Sequence, residues 1–120
     1  PVVQRAAKQA YAMAGVAPQD LDAAEIHDCF SITELVTYEA LGWADPGEAA
    51  MLLESGATTL PQLREQTGVG TTPAFSLPVN TGGGLIGDGH PVGATGVRQV
   101  VEMFRQVCGE AGTRQVDGAR

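Results

Sequence analysis

Apolar residues recur at helical spacing in the first stretch of the chain. Val3, Ala6, Ala7, Ala10 and Ala14 share a face that Gln4, Lys8 and Gln9 avoid, which predicts a helix over residues 2–14. Gly15 supplies its stop, and Pro18, Gln19 and Asp20 read as a connection in which Asp20 caps locally. Residues 23–27, Ala-Ala-Glu-Ile-His, read as a short strand. Ser31 followed by Glu34 has capping-box spacing, so a helix is expected from there to Gly42, with Ile32, Leu35, Val36 and Leu41 on its buried side. Asp45-Pro46-Gly47-Glu48 repeats the start signal for a short helix through Ala49, Leu52 and Leu53 that ends at Gly56. From Ala57 to Thr72 polar turn residues dominate, and an irregular insertion is expected. Phe75, Leu77 and Val79 alternate as in a strand, which Pro78 confines to an edge or a strand end. Val97, Val100, Val101, Phe104 and Val107 then mark an amphipathic helix, expected to anchor the loop in front of it.

That loop, residues 82–96, contains Gly82, Gly83, Gly84, Gly87, Gly89, Gly93 and Gly96. Such density suits a tightly folded loop with several residues at positive φ. The order helix, strand, helix, insertion, strand, glycine loop, helix favours an α/β layered fold. Two or three strands are too few for a complete sheet, so the pattern reads as one partial domain over 1–120. A chain that opens at Pro1 inside a helix, without Met, fits a fragment or a processed product.

Composition narrows the function. Hydrophobic content of 43% and charged content of 18% suit a soluble globular chain. A formal charge of -7, with Lys8 and six scattered arginines as the only basic residues, argues against nucleic acid and leaves few partners for an anionic cofactor. No apolar run approaches a membrane span. Cys29 and Cys108 lie far apart, without metal-type spacing, as expected for reduced thiols in a cytoplasmic protein.

His27 and His90, the only histidines, lie beside turns, where function concentrates; a histidine there also serves structural ends. Cys29 lies two residues beyond His27. In a strand that pair shares a face, so imidazole and thiol would reach one pocket as an acid/base or nucleophilic pair; a free cysteine also serves as a small buried hydrophobe. The glycine loop has neither the Lys-Ser/Thr of a P-loop nor the flanks of a dinucleotide fingerprint. Two histidines and one nearby cysteine make no credible zinc site.

At two motifs the sequence resembles the thiolase superfamily, in particular its sterol-carrier-protein type with the lipid-transfer-protein relatives. Glu25-Ile26-His27-Asp28-Cys29-Phe30-Ser31 is similar to the H-D-C-F loop that this branch has where other thiolases have N-E-A-F. Val79 to Gly96, V-N-T-G-G-G-L-I-G-D-G-H-P-V-G-A-T-G, is similar to the family's glycine loop bearing G-H-P. The resemblance covers nearly the whole chain and implies the incomplete C-terminal half of a thiolase-like αβα layered fold. Carried over by position, it implies that His90 activates a nucleophilic cysteine and donates to a thioester oxygen in an oxyanion hole. His27 would complete that hole, and Cys29 would be the acid/base at the acyl-CoA α-carbon. Phe30 would line the pantetheine channel, while Asn80, Gly83, Gly84 and Gly89 would shape the loop around His90.

The implied activity is thiolysis of a 3-ketoacyl-CoA or the reverse Claisen condensation, in fatty acid or steroid metabolism. It uses no metal and no bound cofactor, with coenzyme A thioester as substrate. The implied partners are acyl-CoA, the remainder of a thiolase chain and a further copy in a homo-oligomer. No residue here matches the family's nucleophile or its last glycine-rich loop, so the chain alone is expected to be inactive. Thr81, Gly82, Gly87 and Asp88 stand where many relatives have Pro, Ser, Ser and a basic residue. Two other readings are a thiolase-fold aldolase of steroid side-chain breakdown with an OB-fold acyl-CoA-binding partner, and a lipid-carrier or assembly module without turnover. The aldolase group is expected to have tyrosines where this chain keeps His27 and His90.

Overall fold

The computed structural model describes residues 2–68 and 73–120. Six α-helices run in order: α1 (Val2–Ala14), α2 (Ser31–Leu41), α3 (Ala49–Glu54), α4 (Pro61–Thr67), α5 (Gly84–Asp88) and α6 (Thr95–Cys108). The two expected strands survive as extended segments that meet in a single parallel bridge, Ala24 with Val79. The expected layered sheet is therefore not found among the described residues. Ala24 donates to the Pro78 carbonyl at 3.0 Å and accepts from the Asn80 amide at 2.9 Å. Leu77 and Val79 donate to the carbonyls of Ala57 and Thr58, both at 2.9 Å, so turn backbone takes the place of a second strand.

The core gathers where these segments meet α2 and α3: Ala24, Ile26, Tyr38, Trp43, Ala49 and Leu77, with Leu35, Leu41, Leu52, Phe75 and Val79 packed on it. Tyr38 and Trp43 stack in a tilted pair, ring centroids 5.6 Å apart. Trp43 Nε1 donates to the Tyr11 hydroxyl at 3.2 Å, and that hydroxyl donates to the Leu41 carbonyl at 3.1 Å, joining α1 to the end of α2. Each ring buries its apolar body and finds a partner for its polar tip.

Several expectations need correction. Ser31 does not cap α2; Phe30 stands at the N-cap position without a side-chain hydrogen bond, and the Glu34 carboxylate instead accepts from the Tyr38 hydroxyl. Ile32 and Val36 point to solvent. Of the apolar face expected on α1, only Ala7 is buried. The start signal at Asp45 gives a turn, and α3 begins at Ala49. The insertion expected over Ala57–Thr72 contains α4, started by Pro61 at its first position and stopped by Gly68 at φ +64°; its last four residues, 69–72, lie outside the described residues.

Helix α6 forms where expected and is fastened to the glycine loop, but by its polar side. Its valine-phenylalanine stripe faces solvent, with Phe104 63% exposed, while Thr95, Glu102 and Gln106 are buried beneath it. Gln106 Nε2 donates to Thr81 Oγ1 at 3.0 Å and to the Arg114 carbonyl at 2.8 Å, and its Oε1 accepts from the Val116 amide at 2.8 Å. Glu102 accepts from Thr81 at 3.1 Å and from Arg114 at 3.2 and 3.0 Å. Polar bonds fasten the buried face of α6 to Thr81, at the entry of the glycine loop, and to residues 114–116.

Candidate active site

Residues 26–30 leave the bridge and turn into α2, which brings His27 to the end of the extended pair. Asn80 holds this exit from the other side. Its Oδ1 accepts from the Ile26 amide at 2.8 Å, and its own φ of +51° turns the chain into the glycine loop. Asn tolerates this left-handed conformation better than most residues.

The loop folds tightly because glycines sit where a side chain would collide. Gly83 has φ +100°, and a Cβ there would lie 3.1 Å from Gly87 Cα. Gly84 has φ +59°, and a Cβ there would run into the Asp28 carboxylate, 2.9 Å from its Cγ. That space is used: Asp28 Oδ1 accepts from the Leu85 amide at 3.0 Å. Asp28 thus ties the motif bearing His27 to the loop bearing His90. Gly89, at φ +84°, turns the chain just before His90.

The two imidazoles meet edge to face, with centroids 4.9 Å apart and planes at 71°. Both are exposed. His90 Nδ1 lies 2.8 Å from Thr95 Oγ1, at the start of α6, and that hydroxyl is 3.3 Å from the Pro91 carbonyl. With the hydroxyl proton on Pro91, Nδ1 is the donor and Nε2 keeps its lone pair for an outside proton.

The structure brings together His27 and His90. Cys29 lies further along the same loop, exposed rather than buried, with Thr33 Oγ1 at 3.9 Å. Phe30 projects beside it at the start of α2, also exposed. Cys108 ends α6 and is exposed. Among the described residues no three His, Cys, Asp or Glu side chains gather as metal ligands, and no helix is long and apolar enough to cross a membrane.

Sequence reasoning quoted Asp28 inside its motif without giving it a role, and passed over Thr95 and Arg98. Arg98 pairs with Glu25 at 3.0 Å and with Asp88 at 2.8 Å. The first contact is off the hydrogen-bonding axis, a charge contact only. Burial pushes the Glu25 carboxyl above its ordinary value, against the Arg98 charge that pulls it down. An acid two residues before each histidine was the signal available in the sequence.

Outside this site, an apolar groove of about 570 Å³ runs along α6, lined by Val100, Met103, Phe104 and Val107 with Glu25 at its edge.

The model of the family described as thiolase C-terminal domain-like matches residues 1–120. Sterol carrier protein 2 of Homo sapiens is 43% identical over 117 residues, covering 98% of this chain and 19% of that protein. An acetyl-CoA acetyltransferase of Methanothermobacter thermautotrophicus is 42% identical over 114 residues, 95% of this chain and 26% of that one. The non-specific lipid-transfer protein-like 2 of Caenorhabditis elegans is 36% identical over 119 residues, 99% of this chain and 26% of its own length. The chain spans between about a fifth and a quarter of the length of these relatives.

Proposed function

The chain belongs to the thiolase C-terminal domain-like family, and on that premise we propose that it supplies the oxyanion-donor and proton-transfer side of a thiolase-type acyl-CoA acyltransferase. The observation that carries this reading is the His27–His90 pair, two imidazoles from separate loops meeting at 4.9 Å. Thiolysis and Claisen condensation develop negative charge on a thioester oxygen, which neighbouring ring N–H groups stabilise. Nε2 of His90, with the Nδ1 proton engaged by Thr95, takes the proton of an incoming thiol and only then is an N–H donor for that oxygen. Cys29, exposed two residues beyond His27 on the same loop, suits proton transfer at the α-carbon. The nucleophilic thiolate comes from outside these 120 residues, and the chain alone does not turn over.

The test is thiolysis of a 3-ketoacyl-CoA by a polypeptide joining this chain to a nucleophile-bearing thiolase N-terminal half, beside the chain alone. The joined protein is expected to be active, and His90→Asn to lower kcat by about 10²–10³-fold, the scale of one oxyanion donor. Turnover by the chain alone, or a joined His90→Asn protein with undiminished kcat, would sink the reading.

A second reading, a lipid-carrier module, is favoured by the apolar groove on α6 and by the carrier and lipid-transfer names of two relatives. It predicts saturable binding of a fluorescent fatty acid, abolished by Phe104→Asp and indifferent to His90→Asn.

A further inference from the structure

The two histidines are each preceded, at the same distance in sequence, by an acid: Glu25 stands two residues before His27, and Asp88 two before His90. Both acids reach one guanidinium. Arg98 Nη2 lies 3.0 Å from Glu25 Oε2, and Nη1 lies 2.8 Å from Asp88 Oδ2. The first leg is nearly dry, with the Glu25 side chain 1% exposed and that of Arg98 19%, while the Asp88 leg sits at the rim, 39% exposed. The outer nitrogens of a guanidinium fork lie at a fixed separation in one plane, so the charge contact to Glu25 and the hydrogen bond to Asp88 come from two fixed points; an ammonium offers one point only.

We propose that Arg98 is a positioning residue that sets the spacing of His27 and His90, by gripping the carboxylate two residues upstream of each. Other ties do not do this. Thr95 orients the His90 ring but lies only five residues further along the same segment, so it cannot fix that segment relative to His27. Asp28 holds the loop at Leu85, its entrance. Beyond α5, which ends at Asp88, the chain reaches His90 through Gly89 at φ +84°, so Asp88 is the last side chain before the histidine. Arg98, from α6, reaches both this end of α5 and the segment leading to His27. Its meaning for acyl transfer rests on the reading of the histidine pair given above; the spacing itself does not.

The experiment is NMR on the 120-residue chain with labelled histidines, reading the NOE between the ring protons of His27 and His90. The native chain should give this cross-peak. Arg98→Lys keeps the charge and loses the fork, and should lose the cross-peak while amide dispersion and helical circular dichroism persist. Asp88→Ala removes only the rim leg at an exposed side chain and should weaken the cross-peak without unfolding, so it decides the matter if Arg98→Lys does not fold. Arg114→Lys, in the polar cluster under α6, is the control for general loosening and should leave the cross-peak intact. The proposal fails if the native chain lacks the NOE, if a folded Arg98→Lys or Asp88→Ala retains it in full, or if Arg114→Lys diminishes it equally. A joined enzyme that depends on His90 but not on Arg98 would sink the positioning role alone. Lack of thiolysis with the NOE pattern as expected would instead leave the spacing standing and remove the acyltransfer reading.

Discussion

At Gly84 two demands meet that only one residue type satisfies. The backbone is left-handed at φ +59°, and the space a Cβ would take belongs to the Asp28 carboxylate. Gly84→Ala therefore incurs the left-handed penalty of about 1–2 kcal/mol for an L-residue. It also pushes Asp28 away from the Leu85 amide, leaving that donor short of a partner, a loss of about 1–3 kcal/mol where the group is buried. Thermal unfolding should show a lower Tm, and the Leu85 amide should exchange faster with deuterium. In an Asp28→Ala background the collision is gone, so Gly84→Ala should then cost only the backbone part. Equal losses in both backgrounds would mean that Asp28 and Gly84 do not interact. The need for glycine here could not be read from composition, because a run of glycines does not say which one faces a carboxylate.

Helix α6 shows what periodicity does and does not encode. The spacing of Val97, Val100, Val101, Phe104 and Val107 places them on one face, and the helix forms as expected. Which face is covered is decided elsewhere, by Thr81, Arg114 and Gln115 offering partners to Glu102 and Gln106. The consequence is an inverted sensitivity. Val100→Asp or Phe104→Asp on the exposed stripe should change the stability of the chain by no more than about 0.5 kcal/mol, as surface changes do. Gln106→Leu, which looks milder on a helical wheel, should cost about 1–3 kcal/mol by stranding the Val116 amide. Chemical denaturation of the variants checks the ranking, and light scattering should show less self-association once an acid interrupts the stripe. The same limit explains the other elements. The strand pair was legible as two extended runs, but a ladder needs neighbours that one parallel bridge does not supply. Helices α4 and α5, of seven and five residues, are too short to develop a periodic face, although Pro61 and Gly68 bracket the first. The histidine pair was legible through its motifs; its spacing was not, since nothing in the sequence pattern joins Glu25 and Asp88, 63 positions apart, to one guanidinium on α6.

At the scale of the whole molecule the chain carries a formal charge of -7, yet two of its acids respond to pH in opposite senses. For Glu102 burial opposes ionisation, but the hydrogen bonds and charge of Arg114, with the Thr81 hydroxyl, outweigh it and hold the carboxyl below its ordinary 4.5. For Glu25 burial outweighs Arg98, and the carboxyl is raised above that value. A carboxyl depressed in the folded chain contributes stability that is complete above the unfolded value and is lost as pH falls through the folded one. A raised carboxyl contributes the reverse, present below the unfolded value and lost as pH rises through the folded one. Glu102 therefore draws stability down on acidification below about 4.5, through the cluster that binds residues 111–116 to α6. Glu25 draws it down on the way up from that pH toward neutrality. Denaturant midpoints measured across this range should fall less steeply with acid in Glu102→Gln than in the native chain. In Glu25→Gln the decline toward neutral pH should flatten, while the acid side keeps the native slope. Because Arg114 is more exposed than Arg98, added salt should shrink the Glu102 effect more than the Glu25 effect. Identical pH profiles for the two variants would mean that these carboxyls do not divide the acid response in this way.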